Sequence, residues 1–232
     1  MSRSTSDWTA KAVLEHLGEL GTEQNRQGMA RFGIDASKAF GVPLSVLRPF
    51  SKDLGKSPDL ARDLWASGFH EARLLAILIT PPKAMTAELT QRWLDDIQSW
   101  DLCDQLTNVH ARRTDSGALV PVLVTNEREF IKRAGFALIA WRAVHAKKAP
   151  DQEFLDCFTF IRAASTDDRN FVWKAVHWSL RQIGKRSADL HGPALRLGEE
   201  LTRTGDRTAR KIGRETVKEL SSPKVWERLG LS

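Results

Sequence analysis

The sequence has no tyrosine, only two cysteines and no apolar run near the roughly 18–20 residues that a membrane-spanning helix needs. Cys103 and Cys157 are far apart in the chain, which excludes a disulfide scaffold and any cysteine-based zinc site. Residues Met1–Trp8 are polar and lack the apolar core of a signal segment, so the expected setting is reduced and cytoplasmic. There is no HExxH, GxGxxG, Walker or CxxC spacing and no nucleophile elbow. The six histidines (16, 70, 110, 145, 177 and 191) are not paired at ligand spacing on one helix face. No metal and no cofactor are therefore expected. Aromatic function must rest on indole and phenyl faces, with eight Trp and ten Phe in the chain.

What is present is a globular composition, 41% hydrophobic and 28% charged, which is too apolar for a disordered chain. A length of 232 residues allows one large domain or two small ones. Our reading is a single domain over 1–232, with 1–6 as a disordered tail. Charge is unevenly spread. Residues 1–130 carry 15 Lys and Arg against 17 Asp and Glu, a net −2, whereas residues 131–232 carry 20 against 12, a net +8. A basic half on a balanced chain suggests a polyanionic partner, although a merely solvated basic surface would look the same.

Most of the chain reads as helix. Segments are expected at 8–20, 45–55, 58–67, 70–80, 86–98, 100–112, 127–147, 151–164, 169–185, 189–203, 206–220 and 223–229, with breaks at Gly and Pro positions including Gly41–Pro43, Pro81–Pro82 and Gly192–Pro193. The one strand-like run, Leu119–Thr125, contains Pro121 and has no partner strand, which argues against a sheet. Helices of this length joined by short loops predict stacked antiparallel helix pairs, as in HEAT-like solenoids, with a compact helical bundle as the alternative.

Three helices have faces that disagree with a simple core. In 169–185, Val172, Ala175, Val176, Ser179 and Ile183 form the apolar stripe, while Trp178 shares another sector with Lys174, Arg181 and Lys185. In 99–109, Leu102, Leu106 and Val109 lie on one side, and Trp100 and Asp104 on the other, one turn apart. Asp101 reads as a favourable first-turn charge. The segment 127–147 is apolar almost all round and should be central to its domain, yet Arg133 falls inside that arc. A buried guanidinium needs a carboxylate or a phosphate. Asp104 could be its partner, or both could face a shared groove. Farther on, Arg207, Arg210, Lys211, Arg214 and Lys218 share a face, either as a salt-bridged surface or as a phosphate-contacting ridge.

At this point the chain resembles the AlkD-like DNA alkylation repair family, the alkylpurine DNA glycosylases built from HEAT-like repeats. The resemblance lies in GMARFGI (28–34), LARDLWASGFHEARLLAILI (60–79), SWDLCDQL (99–106), EFIKRAGFALIA (129–140) and RNFVWKAVHWSLRQIGKR (169–186), in that order. It implies an all-α right-handed solenoid with a basic groove for duplex DNA. It also implies excision of cationic N3- or N7-alkylated purines without flipping the lesion into a pocket, by a monomer that associates with the nucleoid when bound to DNA. By motif, the catalytic aspartate matches Asp104, the groove tryptophans match Trp100 and Trp178, and the groove arginine matches Arg133. Lys174, Arg181, Lys185, Arg207, Arg210, Lys211 and Arg214 are then expected to contact the DNA. The family often presents a Tyr from its amino-terminal helix; with none here, Arg26 and Arg31 are the substitutes at hand.

The residue types suit that chemistry. A cationic purine is already a good leaving group, so no general acid is required. Cleavage builds oxocarbenium character on the sugar, which a carboxylate stabilises while orienting the attacking water. Two other readings stay open: a non-catalytic HEAT-like module that binds damaged or branched DNA, and a protein-interaction scaffold.

Overall fold

The computed structural model describes residues 8–231; the expected tail at 1–6 lies outside them. Among the described residues the chain is all-helical, with fourteen α-helices, three short 3-10 turns and no strand. It folds as two compact units, Met1–Val109 and His110–Ser232.

In the first unit the order is α1 (Ala10–Leu20), α2 (Glu23–Met29), a 3-10 turn (Ala30–Phe32), α3 (Leu44–Leu54), α4 (Pro58–Ala66), α5 (His70–Ile79), a 3-10 turn (Pro82–Ala84), α6 (Ala87–Asp95) and α7 (Trp100–His110). Starts are set by local chemistry. Thr9, Thr22, Ser57 and Thr86 each accept a hydrogen bond from a first-turn N–H, and Pro58 sits at the position where its missing N–H costs nothing. α5 is the centre, with His70, Glu71, Ala72, Leu74 to Ile77 and Ile79 buried, and it packs on α1, α3 and α4. The Glu71 carboxylate, 1% exposed, accepts the backbone N–H groups of Phe40 (2.9 Å), Gly41 (2.7 Å) and Val42 (3.2 Å). That one side chain anchors the loop between the first 3-10 turn and α3. Trp65 stacks on Trp93 at 4.2 Å and donates its indole N–H to Asp96 at 2.8 Å.

The second unit runs from a 3-10 turn (Ser116–Leu119) through α8 (Val120–Val124), α9 (Glu129–His145), α10 (Asp151–Ala163), α11 (Asn170–Gly184), α12 (Ala188–Thr202) and α13 (Arg207–Leu220) to α14 (Pro223–Leu229). α9 is its core, buried on almost every side as its all-round apolar sequence predicts. Phe130 meets Phe171, and Trp141 meets Trp178, so α9 and α11 run in the same direction. His177 faces Glu215 and Arg181 pairs with Glu219, which makes α13 parallel to both. α12 returns antiparallel to α13, and α10 joins α12 through a bidentate Arg162–Glu200 pair at 2.8 Å. Antiparallel helix pairs stacked into two layers are thus the construction of this unit.

Local readings differ from the structure in three places. The run Leu119–Thr125 is a 3-10 turn passing into a short helix, with Pro121 in its first turn, where proline is tolerated. α12 continues through Pro193; burial of Leu190, Ala194, Leu197 and Leu201 outweighs one missing backbone hydrogen bond. α2 is additional, because EQNRQGM has little apolar periodicity and its signal lies in the Thr22 cap and the Glu23–Arg26 pair.

A close helix crossing supplies a stability test. A Cβ on Gly213 would stand 2.5 Å from the Gly198 carbonyl oxygen and 2.7 Å from the Thr202 nitrogen, both backbone atoms that cannot swing aside. Gly213→Ala should therefore lower stability by about 1–3 kcal/mol, read as a lower urea midpoint; an unchanged midpoint would show that α12 and α13 can separate freely.

Candidate functional site

In the first unit the candidate residues stand on α7. Leu102, Cys103 and Leu106 enter the core, while Trp100 and Asp104 share another face. Asp104 is only 8% exposed, and Trp100 is half-buried with its indole N–H donated to the Phe32 carbonyl at 3.0 Å. The Thr107 hydroxyl donates to the backbone carbonyls of Cys103 (2.9 Å) and Asp104 (3.2 Å). Asp101 does more than complement the helix dipole, because its Oδ2 lies 2.8 Å from His70 Nε2. Burial pushes the Asp101 carboxyl up, but the His70 hydrogen bond and charge, with help from Ser99 and the Leu102 N–H, hold it below its ordinary value. The start of α7 is thereby tied to the start of α5.

In the second unit Arg133 is buried and donates from Nη1 to the Phe171 carbonyl at 2.9 Å, bridging α9 to α11. Trp178 is half-buried and meets Trp141 edge to face at 5.1 Å, and Trp141 stacks on His145 at 5.5 Å. Burial first, then the charges of Arg112 and Lys147, hold His145 below its ordinary value. Arg112, with no role legible from sequence, thus opposes a proton on His145. Trp141 reads from sequence as one apolar residue among many; only its packing marks it as part of the cluster around Trp178.

The expected DNA-contacting cations fall into different environments. Lys174 is exposed beside the Trp173 ring, at 5.8 Å, and Lys211 stands over the same ring at 3.9 Å. Arg207 and Arg214 are exposed on α13. Arg210 instead donates to the carbonyls of Thr204 (3.1 Å) and Gly205 (2.8 Å), closing the turn into α13. Arg181 and Lys185 both pair with Glu219, Lys185 at 2.5 Å. Burial raises the Glu219 carboxyl, but these two cations outweigh it and keep it below its ordinary value. The three together leave one net positive charge rather than two.

Between α11 and α13, burial pushes the His177 imidazole down to about 4, with Arg181, Lys211 and Lys185 also opposing its proton and Glu219 favouring it. The unfolded chain therefore takes up this proton first as pH falls, so stability is lost from about pH 6.5 down to about 4 and changes no further on this account below that. His177→Gln should flatten that fall by up to about 1.4 kcal/mol per pH unit. Urea unfolding at pH 7 and pH 5 measures it, and identical slopes for the two proteins would refute it.

No helix among the described residues is long and apolar enough to cross a membrane. A solved structure described as representing a new family of proteins related to the HEAT-like repeat DNA glycosylases, with affinity for branched DNA structures, is similar to this chain. It aligns at TM-score 0.79 and 19% identity, over 96% of this chain and 97% of that one. An engineered protein of known structure covers 89% of this chain and 95% of its own at TM-score 0.42 and 13% identity, a likeness too loose to carry a fold. No protein of curated function matches the sequence. The architecture is thus that of the HEAT-like repeat DNA glycosylase fold. Residues 13–219 match the family described as DNA alkylation repair enzyme, and the chain belongs to that family.

Proposed function

We propose that this protein is a monofunctional DNA glycosylase that hydrolyses the N-glycosidic bond of N3- or N7-alkylated purines in duplex DNA without flipping the damaged base. What carries the reading is a sequestered carboxylate, Asp104, one turn from the half-buried Trp100 on α7, in a chain whose residues 13–219 match a DNA alkylation repair family.

Asp104 acts electrostatically. As the bond between the sugar C1′ and the purine nitrogen breaks, the bonding pair leaves with the base, which departs neutral because it was cationic. The sugar becomes oxocarbenium-like, and a carboxylate beside it lowers the barrier. Water adds to C1′ and gives its proton to Asp104 or to solvent. The indoles of Trp100 and Trp178 favour a cationic nucleotide by cation–π contact. Arg133, Lys174, Arg207, Lys211 and Arg214 contact phosphates, whereas Arg181 and Lys185 do so with Glu219 still attached. Affinity of that kind reads charge rather than sequence and weakens with salt. No step needs a metal, a cofactor or a lysine imine, and the working form is a monomer.

A second reading is binding to branched DNA without catalysis, favoured by what is described for the structure aligned at TM-score 0.79. One experiment separates the two. Purified protein is incubated with methylated duplex DNA, and released 7-methylguanine and 3-methyladenine are measured beside a gel shift on branched and linear DNA. Base release supports the glycosylase; retention of DNA with no released base leaves only the binding module.

A further inference from the structure

We infer that the first unit carries a receptor for an unpaired nucleobase: a cavity of about 480 Å³ between α2, the loop after it and the starts of α5 and α7, with the Phe32 ring at its lip. This inference rests on the DNA-acting reading above and adds a contact that reading does not contain.

The volume lies within the roughly 300–1,000 Å³ of pockets that enclose small organic ligands. Met29, Ile34, Val42 and Leu74 form apolar walls, and His70 and Asp101, joined at 2.8 Å, form a polar one. Gln24 and Asn25 also line the cavity, and a side-chain amide offers a donor and an acceptor side by side, as the edge of a base requires. A flat ligand with an apolar face and a hydrogen-bonding rim suits such a lining.

The lip makes the class of ligand specific. Phe32 is 65% exposed, the most exposed large hydrophobic side chain among the described residues. It ends a 3-10 turn that closes through Gly33, whose φ of 71° favours glycine, and its carbonyl is held by the Trp100 indole. Exposing an anchored phenyl ring to water has an unfavourable hydration cost that a stacked base removes. Arg31 precedes it, exposed and in none of the salt bridges among the described residues, so it is placed to meet a phosphate flanking that base. An aromatic ring beside a cation is the common arrangement for holding unpaired nucleic acid, with the ring taking the base and the cation the backbone.

The test uses three DNA duplexes of the same flanking sequence: one with a bulged adenine, one with a bulged abasic nucleotide and one fully paired. Binding is measured by fluorescence anisotropy at fixed salt. Wild type should bind the adenine bulge about tenfold more tightly than the abasic bulge, since only the base differs. Phe32→Ala should bring that ratio close to one, and because the ring is exposed the variant should fold normally. Arg31→Ala should weaken both bulged duplexes alike and keep the ratio. Equal wild-type affinity for the two bulges, or a tenfold ratio that survives Phe32→Ala, overturns the inference while DNA binding itself stands. Failure to bind any of the three duplexes overturns the DNA-acting reading and the inference with it.

Discussion

Asp104→Asn is expected to lower the rate of alkylpurine release by about a hundred- to a thousandfold while leaving affinity for duplex DNA nearly unchanged. Asparagine keeps the size and planarity of the side chain, removes its charge and turns one acceptor oxygen into an amide donor. At a position 8% exposed that difference is felt strongly, because little water is present to screen the carboxylate from a developing cation. The loss should fall on the rate of the bond-breaking step. Binding depends on phosphates and is left to the arginines and lysines. Single-turnover release of 7-methylguanine from methylated DNA, with a gel shift on the same DNA, separates the two quantities. A variant that releases base as fast as wild type would remove Asp104 from the chemistry. One that loses binding in proportion to rate would make it a structural residue.

The second large effect concerns the frame that holds α7 and the cavity beside it. Glu71→Ala should destabilise the protein by about 3–5 kcal/mol, because it leaves the buried N–H groups of Gly41 and Val42 and the partly buried one of Phe40 without their shared acceptor. Each of these donors gave up water to meet that carboxylate, and alanine returns nothing. Glu71→Gln should cost distinctly less, since one carbonyl oxygen still accepts within the same shape. Urea unfolding of the three proteins ranks them, and a Glu71→Ala protein within 1 kcal/mol of wild type, on the order of a surface substitution, would mean that the loop finds other acceptors. The same loop contributes Gly41, Val42 and Pro43 to the cavity, so Glu71→Ala should also erase discrimination between base and abasic bulges.

How far the sequence reads through to structure depends on whether the information is local. The positions of twelve of the helices, including the central α9, follow from periodicity and from the Gly and Pro breaks between them. α2 escapes because a polar helix has no hydrophobic period to detect, and the Val120–Val124 turn escapes because five β-branched and apolar residues look alike in either state. The placement of Trp100 and Asp104 on one face of α7 was legible from their spacing of four. That Asp101 meets His70, and that Arg210 closes its own turn, was not.

The sequence alone determined the helical class, most helix boundaries, the family and the face of α7 that carries an indole and a carboxylate, since each is written in residues a few positions apart. Tertiary structure decided which charges are spent within the protein and which face outward. Arg181 and Lys185 look like unopposed cations on their own helix, and only the parallel register of α11 against α13 brings Glu219 between them. It likewise decided that Phe32 stands exposed over a cavity, because that depends on a hydrogen bond from Trp100, 68 residues away. Pattern along a chain carries no term for the register in which distant helices stack, and ion pairing, burial and cavity shape are all set by that register.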